Sequence, residues 1–244
     1  MTFLLVHGGA HTGACWSLLT PHLEAAAIAP DLPGRGSRPA PLLELRIDDW
    51  VDAIVEEIEG QRDERVVLVG HSLAGMSLPR VAARIPERLA HLVFVSCTVP
   101  PEGRAPIDML EPELRDLARS QEARAEPSVL PEAAARAMFC SDMDEAQTRF
   151  ALDGLVPEAP GPIHEPSRLA GLARGVPMTW IRLLRDTVVP PAQQELYVET
   201  IRAIAPVGVV DLDAGHDAMI SRPDALAEIL NRIRAGSRPG SGAD

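Results

Sequence analysis

The chain contains no lysine; all 23 of its basic residues are arginine. A mechanism that needs a side-chain amine, as a nucleophile or in a Schiff base, is therefore excluded. Cysteine is nearly as scarce, with Cys15, Cys97 and Cys140 the only three. They are odd in number, far apart and without a C-x-x-C pair, which argues against a disulfide framework or zinc site and for a reducing cytoplasm. Aromatic residues make up 3% of the chain, with Tyr197 the single tyrosine. Positive charge is outweighed, since 35 acidic residues bring the net charge to −12. Nucleic acid and anionic membranes both call for basic patches, so neither is expected as a partner. No apolar run approaches the roughly 20 residues of a membrane span. The apolar start Phe3 to Val6 is too short for a secretory signal and has no basic residues before it. The remaining histidines, His7, His22, His91 and His164, show no metal-ligand spacing, so no metal or cofactor is expected.

What is present suits a sizeable core. A length of 244 residues and 46% hydrophobic content predict one domain, or one domain with an insertion. Thr2 to Val6 reads as a buried strand, followed by the glycine cluster His7-Gly8-Gly9-Ala10-His11-Thr12-Gly13. A helix is expected from about Ala14 to Ala26, then a weak strand over Ala27–Asp31 ended by the Pro33-Gly34 turn. Ile47, Trp50, Val51, Ile54, Val55 and Ile58 have helical spacing. Val66–Val69 and Leu92–Val95 read as buried strands. Alternation then stops until Met178, and the stretch between reads as helices only, at about 107–122, 131–139, 144–155 and 167–172. It resumes with strand Met178–Leu184, helix Pro191–Ile204, strand Val207–Leu212 and helix Pro223–Ile233.

This order predicts an α/β fold, with a mostly parallel sheet of about six strands and helices on both faces. A helical lid is inserted after the strand that ends near Cys97. The core would comprise residues 1–97 and 177–235, the lid 98–176, and residues 236–244 a disordered tail rich in glycine and serine.

The stretch that organises the rest is Val66-Val67-Leu68-Val69-Gly70-His71-Ser72-Leu73-Ala74-Gly75-Met76. A serine between small residues, with a buried strand before it and a helix after it, is a nucleophile elbow. The turn forces the serine into a sparsely populated backbone conformation, at about 1–3 kcal/mol. Gly70 and Ala74 must be small because strand and helix nearly touch there. Ligands of such sheets bind at the carboxyl ends of the strands. Asp186 follows one later strand and His216 the next, so the chain order is serine, aspartate, histidine. A serine hydroxyl needs a neutral imidazole to take its proton. The carboxylate sets the imidazole tautomer and stabilises the imidazolium. The backbone N–H groups of Leu73 and Gly9 are candidate donors to a developing oxyanion. Asp213 and Asp217 compete with Asp186 but lie too near His216 in sequence to reach its far nitrogen. His71 is read as a packing partner behind the elbow. His11 either lines the pocket or ties the glycine loop together. Met76, Met138, Phe139, Trp180 and Met219 are candidate apolar lining.

With these motifs the chain resembles the α/β-hydrolase superfamily up to about Arg234. It most resembles the branch of plant methylesterases, hydroxynitrile lyases and their bacterial carboxylesterase relatives. The resemblance rests on Phe3-Leu4-Leu5-Val6-His7-Gly8-Gly9-Ala10-His11, on Gly70-His71-Ser72-Leu73-Ala74-Gly75-Met76, on Ala137-Met138-Phe139-Cys140-Ser141-Asp142, and on the Asp186-Thr187-Val188-Val189-Pro190 and Ala214-Gly215-His216 blocks. It implies a triad of Ser72, Asp186 and His216 with an oxyanion hole at Gly9 and Leu73. Ala74 departs from the commoner glycine. Asp217 stands where the lyases carry lysine, which disfavours cyanohydrin cleavage.

The expected function is hydrolysis of a small to medium apolar carboxylic ester or thioester through an acyl-serine intermediate. The alternative is a cofactor-free lyase, cyclase or C–C bond-forming enzyme of natural-product biosynthesis, driven by His216. A third class is a small-molecule binding protein. Epoxide hydrolysis and dehalogenation are excluded, because relatives with that chemistry carry an aspartate in place of Ser72. A small apolar molecule is the expected partner, and a homodimer stays open.

Overall fold

The computed structural model describes residues 1–110, 112–123 and 126–237. Six strands form one sheet: β1 (Phe3–Val6), β2 (Ala27–Ile28), β3 (Val66–His71), β4 (Leu89–Val95), β5 (Met178–Leu183) and β6 (Gly208–Leu212). Their spatial order is β2-β1-β3-β4-β5-β6, and every pairing is parallel. The chain moves from β1 outward to β2 and then returns to the other side of β1 with β3. Such a reversal opens a crevice at the carboxyl ends of the two strands. The loops that follow β1 and β3, at residues 7–13 and 72–76, meet there.

Alternate side chains of each strand serve opposite faces, and both faces are buried. Leu4, Val6, Leu68, Phe94 and Trp180 join one core cluster, and Phe3, Leu5, Val69, Val95 and Ile181 join the other. The helices are α1 (Ile47–Glu59), α2 (Leu78–Arg84), α3 (Pro112–Ala123), α4 (Glu132–Phe139), α5 (Glu145–Asp153), α6 (Pro191–Arg202), α7 (Ala218–Ser221) and α8 (Pro223–Gly236). Helices α1, α2 and α6 cover the first cluster, while α7, α8 and the turn at Cys15–Trp16 cover the second. The expected two-sided α/β sheet is therefore the observed one. Among the described residues, no helix is long and apolar enough to cross a membrane.

Local chemistry explains most element ends. Asp49 accepts the Arg46 N–H at 2.7 Å and, with Asp48, complements the amino end of α1. Asp144 caps α5 by accepting the Gln147 N–H at 2.8 Å. Three expected helices depart from their periodicity, and the one expected at 167–172 is only a 3-10 turn at Ala170–Arg174. The 14–26 segment forms only 3-10 turns at Gly13–Trp16 and Thr20–His22, because Pro21 offers no N–H to a helix interior. The 107–122 segment splits into a 3-10 turn at Pro106–Met109 and α3, which opens on Pro112. Helix α8 runs through Gly236, and Ser237 Oγ lies 3.0 Å from His91 Nδ1, so the first two residues of the tail expected from 236 are ordered parts of the fold. Residues 238–244 lie outside the described residues.

Between β4 and β5 the chain adds no strand to the sheet. The excursion is stitched to the loop after β1. Val156 N–H donates to the Ala10 carbonyl at 2.9 Å, and Ala10 N–H donates to Glu158 Oε2 at 2.7 Å. Arg35, buried from the β2 side and lying over the Trp50 ring, pairs with the same Glu158 carboxylate.

The elbow itself is tightly seated on β4. A Cβ on Gly75 would lie 2.5 Å from the Thr98 carbonyl oxygen and 2.8 Å from the Cys97 Cβ. Neither neighbour is the end of a flexible side chain, so Gly75→Ala must displace backbone. We expect that substitution to lower stability by about 1–3 kcal/mol. Urea unfolding checks it, as a lower midpoint at unchanged m-value.

Candidate active site

Ser72 begins the 3-10 turn after β3 with φ +52°, a left-handed conformation that an L-residue adopts only when its surroundings enforce it. The enforcement comes from packing. A Cβ on Gly8 would lie 2.8 Å from the Ser72 Cβ, so only glycine lets the first loop pass. Thr98 N–H also donates to the Ser72 carbonyl at 2.8 Å. The hydroxyl is thereby aimed at the carboxyl edge of the sheet.

The structure brings Ser72, His216 and Asp186 together. His216 Nε2 lies 3.0 Å from Ser72 Oγ, and His216 Nδ1 lies 2.7 Å from Asp186 Oδ2. Asp186 stands on the turn after β5. Its carboxylate accepts the Ser96 hydroxyl at 2.6 Å and the backbone N–H groups of Val188 and Val189 at 2.7 and 2.9 Å. Burial alone would raise its pKa. The His216 charge and the hydrogen bonds from His216, Ser96 and Val189 outweigh burial and hold the carboxyl below its usual range. An ionised Asp186 accepts the His216 Nδ1–H, and in that tautomer Nε2 can accept the serine proton.

Ser96 has φ +40° and Ala10 φ +59°. With Ser72, the non-glycine residues of positive φ among those described all surround this site. Ser96 was not singled out in the sequence, and nothing local marks it beyond its place at the end of β4. The Gly8 carbonyl accepts the His7 Nδ1–H at 2.9 Å, while His7 Nε2 accepts the Leu32 N–H at 3.2 Å. His7 thus grips the peptide whose N–H belongs to Gly9. Gly9 and Leu73 both border a cavity of about 220 Å³ in front of Ser72 and His216.

Of the expected lining, Met138 and Phe139 border this cavity, and the Phe139 ring stacks on His216 at 5.8 Å. The other four candidates lie elsewhere. Met76 is buried beneath the elbow and touches the Ser167 hydroxyl. Trp180 points into the sheet core and stacks on Phe94 at 5.9 Å. Met219 is buried on the opposite face of the sheet. His11 sits behind the glycine loop, with Nδ1 2.7 Å from the Gly9 carbonyl and Nε2 3.0 Å from Asp217. That resolves its open reading in favour of tying the loop. Periodicity reports that a side chain is buried, not which cavity it faces. The cavity also takes Glu158, Gln193 and Tyr197, which sequence reasoning missed. Gln193 and Tyr197 are one turn apart on α6, whose amino end starts beside Asp186, and Gln193 Nε2 donates to the Tyr197 hydroxyl at 2.7 Å.

Behind the site, ligand-capable atoms of His71, His216 and Asp217 fall within 4.8 Å of one another. Most of their polar atoms are already engaged, while His71 Nδ1 and Asp217 Oδ1 have no hydrogen-bond partner among the described residues. His71 Nε2–H donates to the His216 carbonyl at 3.0 Å, the His216 ring is engaged by Asp186 and Ser72, and Asp217 Oδ2 accepts from His11. These hydrogen bonds tie the group to the loops on which Ser72 and His216 stand.

Comparison with known proteins agrees with this geometry. The model of the alpha/beta hydrolase family matches residues 3–229, and the chain belongs to that family. Its relatives include a pyrethroid hydrolase of Sphingobium wenxiniae, 27% identical over 93% of this chain and 85% of that protein. A putative chloroplastic methylesterase of Arabidopsis thaliana is 25% identical over 95% of this chain and 71% of its own length. Among solved structures, an extracellular alpha/beta-hydrolase from a Paenibacillus species superposes with a TM-score of 0.84 at 20% identity, covering 96% of this chain and 98% of that one. This last likeness shows the shared fold.

Two site histidines make stability pH-dependent. Burial holds His7 and His71 neutral, each with its pKa lowered to about 3, and the His216 charge adds to the effect at His71. The unfolded chain binds these protons below about 6.5, whereas the folded chain does not until about 3. Stability must therefore fall as pH falls through that window. His11, raised from its usual value, works the other way only above 6.5. Urea titrations at pH 5, 6 and 7 should show unfolding free energy declining toward acid. Each of the two histidines adds about 1.4 kcal/mol per pH unit at the acid end. A flat profile over this range would contradict the neutral assignment.

Proposed function

We propose that the protein hydrolyses small to medium, uncharged carboxylic esters through an acyl-Ser72 intermediate. The observation that carries this reading is the unbroken series from Ser72 Oγ to His216 at 3.0 Å and from His216 to Asp186 at 2.7 Å, opening on a mostly apolar cavity. Ser72 Oγ attacks the ester carbonyl carbon as its proton passes to His216 Nε2. The carbonyl oxygen becomes an oxyanion facing the Gly9 and Leu73 N–H groups. Collapse expels the alcohol, which takes the proton from His216. Water then attacks the acyl-enzyme, gives one proton to His216, and the acid leaves as Ser72 regains its own. The hydrolase and methylesterase names of the relatives support the ester-cleaving class.

The excursion 98–176 acts here as a cap, since Ile107, Met138, Phe139, Glu158 and Ile163 all border the cavity. Apolar side chains dominate that border, and Glu158 is its one acidic member among the described residues, already paired from behind by Arg35, which does not itself line the cavity. A substrate carboxylate would be desolvated against this apolar border, with no unpaired cation lining it among the described residues. The three cysteines are buried and free, which fits a reducing cytoplasm.

The test is covalent labelling by a fluorophosphonate, located by mass spectrometry, together with p-nitrophenyl butyrate turnover. Ser72→Ala should abolish both. Asp186→Asn should lower kcat by about 10⁴ with the fold intact. Folded wild-type protein that neither labels nor turns over would remove the hydrolase reading and favour non-hydrolytic chemistry driven by His216. Among substrates, p-nitrophenyl butyrate should exceed the succinate monoester of p-nitrophenol at least about tenfold in kcat/KM. Equal rates would contradict the apolar character given to the cavity.

A further inference from the structure

The densest group of titratable side chains that the reaction leaves unused lies directly behind it. Asp217 follows His216, His71 precedes Ser72, and His11 stands two residues beyond Gly9. All of these flanking residues are buried. His11 Nδ1 is 2.7 Å from the Gly9 carbonyl oxygen, and His11 Nε2 is 3.0 Å from Asp217 Oδ2. A carbonyl and a carboxylate only accept hydrogen bonds, so both ring nitrogens of His11 must carry protons. The ring is an imidazolium and Asp217 is its counter-ion.

The surroundings agree with that charge state. Asp217 also faces His71, whose Nε2 is 3.9 Å from Oδ1, and His216. The buried thiols of Cys15 and Cys140 feel its charge as well. His11 faces Glu158 across the loop and presents its ring edge to Phe139 at 5.0 Å. Burial opposes ionisation of both partners. The His11 charge and hydrogen bond nevertheless bring the Asp217 carboxyl down to about 2, and Asp217 raises His11.

We propose that the His11 imidazolium and the Asp217 carboxylate form a staple that holds the Gly9 loop against the His216 loop, fixing the oxyanion donor relative to the base. His11 and Asp217 are positioning residues, and the proposal rests on the acyl-Ser72 reading. The same device joins the third loop, because His71 donates to the carbonyl of His216 at 3.0 Å. The neighbours of Ser72 and His216 thus cross-tie the turns on which the reacting atoms stand. Loosening the staple should leave substrate binding in the apolar cavity intact while spoiling alignment. A displacement of about 1 Å at such a site is worth on the order of 100-fold in rate.

The experiment combines histidine ring NMR with kinetics. In ¹⁵N-histidine-labelled wild-type protein at pH 8, His11, assigned by its loss in His11→Asn, should show two protonated ring nitrogens. Asp217→Asn, which keeps the shape and removes the charge, should convert that ring to a neutral one. With p-nitrophenyl butyrate, His11→Asn and Asp217→Asn should each lower kcat by about 10–100-fold with KM within about threefold. The double variant should be no slower than the slower single one. A neutral His11 in the wild type at pH 8, or full kcat in folded Asp217→Asn, would overturn the staple while Ser72 labelling persisted. Failure of the hydrolase reading would look different, with no Ser72 labelling in wild-type protein and the His11 imidazolium still present.

Discussion

Everything at the carboxyl edge of the sheet depends on the contact between Gly8 and Ser72. A Cβ on Gly8 would lie 2.8 Å from the Ser72 Cβ, so the loop after β1 and the turn after β3 occupy nearly the same space. The parallel pairing of β1 with β3 imposes this proximity, with Val6 registered on Gly70. Once two turns are that close, backbone torsions are no longer free. Ser72, Ala10 and Ser96 all take positive φ, and the cost, about 1–3 kcal/mol each, is met by the sheet beneath them. What the strain provides is a hydroxyl that cannot relax away from His216.

A second consequence is the treatment of buried polar groups. An unpaired charge at this depth would cost several kcal/mol, yet the site gathers four histidines and two aspartates from the three loops and the turn after β5. Each is committed to a particular state by its partners. His7 donates to Gly8 and accepts from Leu32, His71 donates to His216, and His216 lies between Asp186 and Ser72. Only His11 faces acceptors at both nitrogens. Burial keeps His7 and His71 neutral, His11 is paired with Asp217, and of these rings it is His216 whose Nε2 is turned to the serine hydroxyl.

The excursion between β4 and β5 is part of this construction. Ala10 is bonded at its N–H by Glu158 and at its carbonyl by Val156, so the loop after β1 is sewn to this excursion as well as to the sheet. Arg35 and Trp50 back the same carboxylate from the core. A cap that swung away as a rigid flap would break these bonds, and the binding cavity is accordingly a joint product of cap and sheet.

The sequence by itself determined the sheet, the elbow and the three residues that meet at it. Buried parallel strands are continuous apolar runs, a strained serine turn demands small neighbours at Gly70 and Ala74, and strand ends are where polar residues collect. Those signals are local, and they placed Ser72, Asp186 and His216 on loops that the fold brings together. It did not determine which apolar residues face the cavity. Trp180 and Met219 proved to be core, whereas Tyr197, Gln193 and Glu158 line the site. Nor could it disclose Ser96 beneath Asp186 or the pairing of His11 with Asp217, which stand 206 residues apart. The physical reason is that burial leaves a periodic trace along the chain, while the direction a buried side chain points, and the partner it meets, exist only after the sheet has closed its neighbours around it.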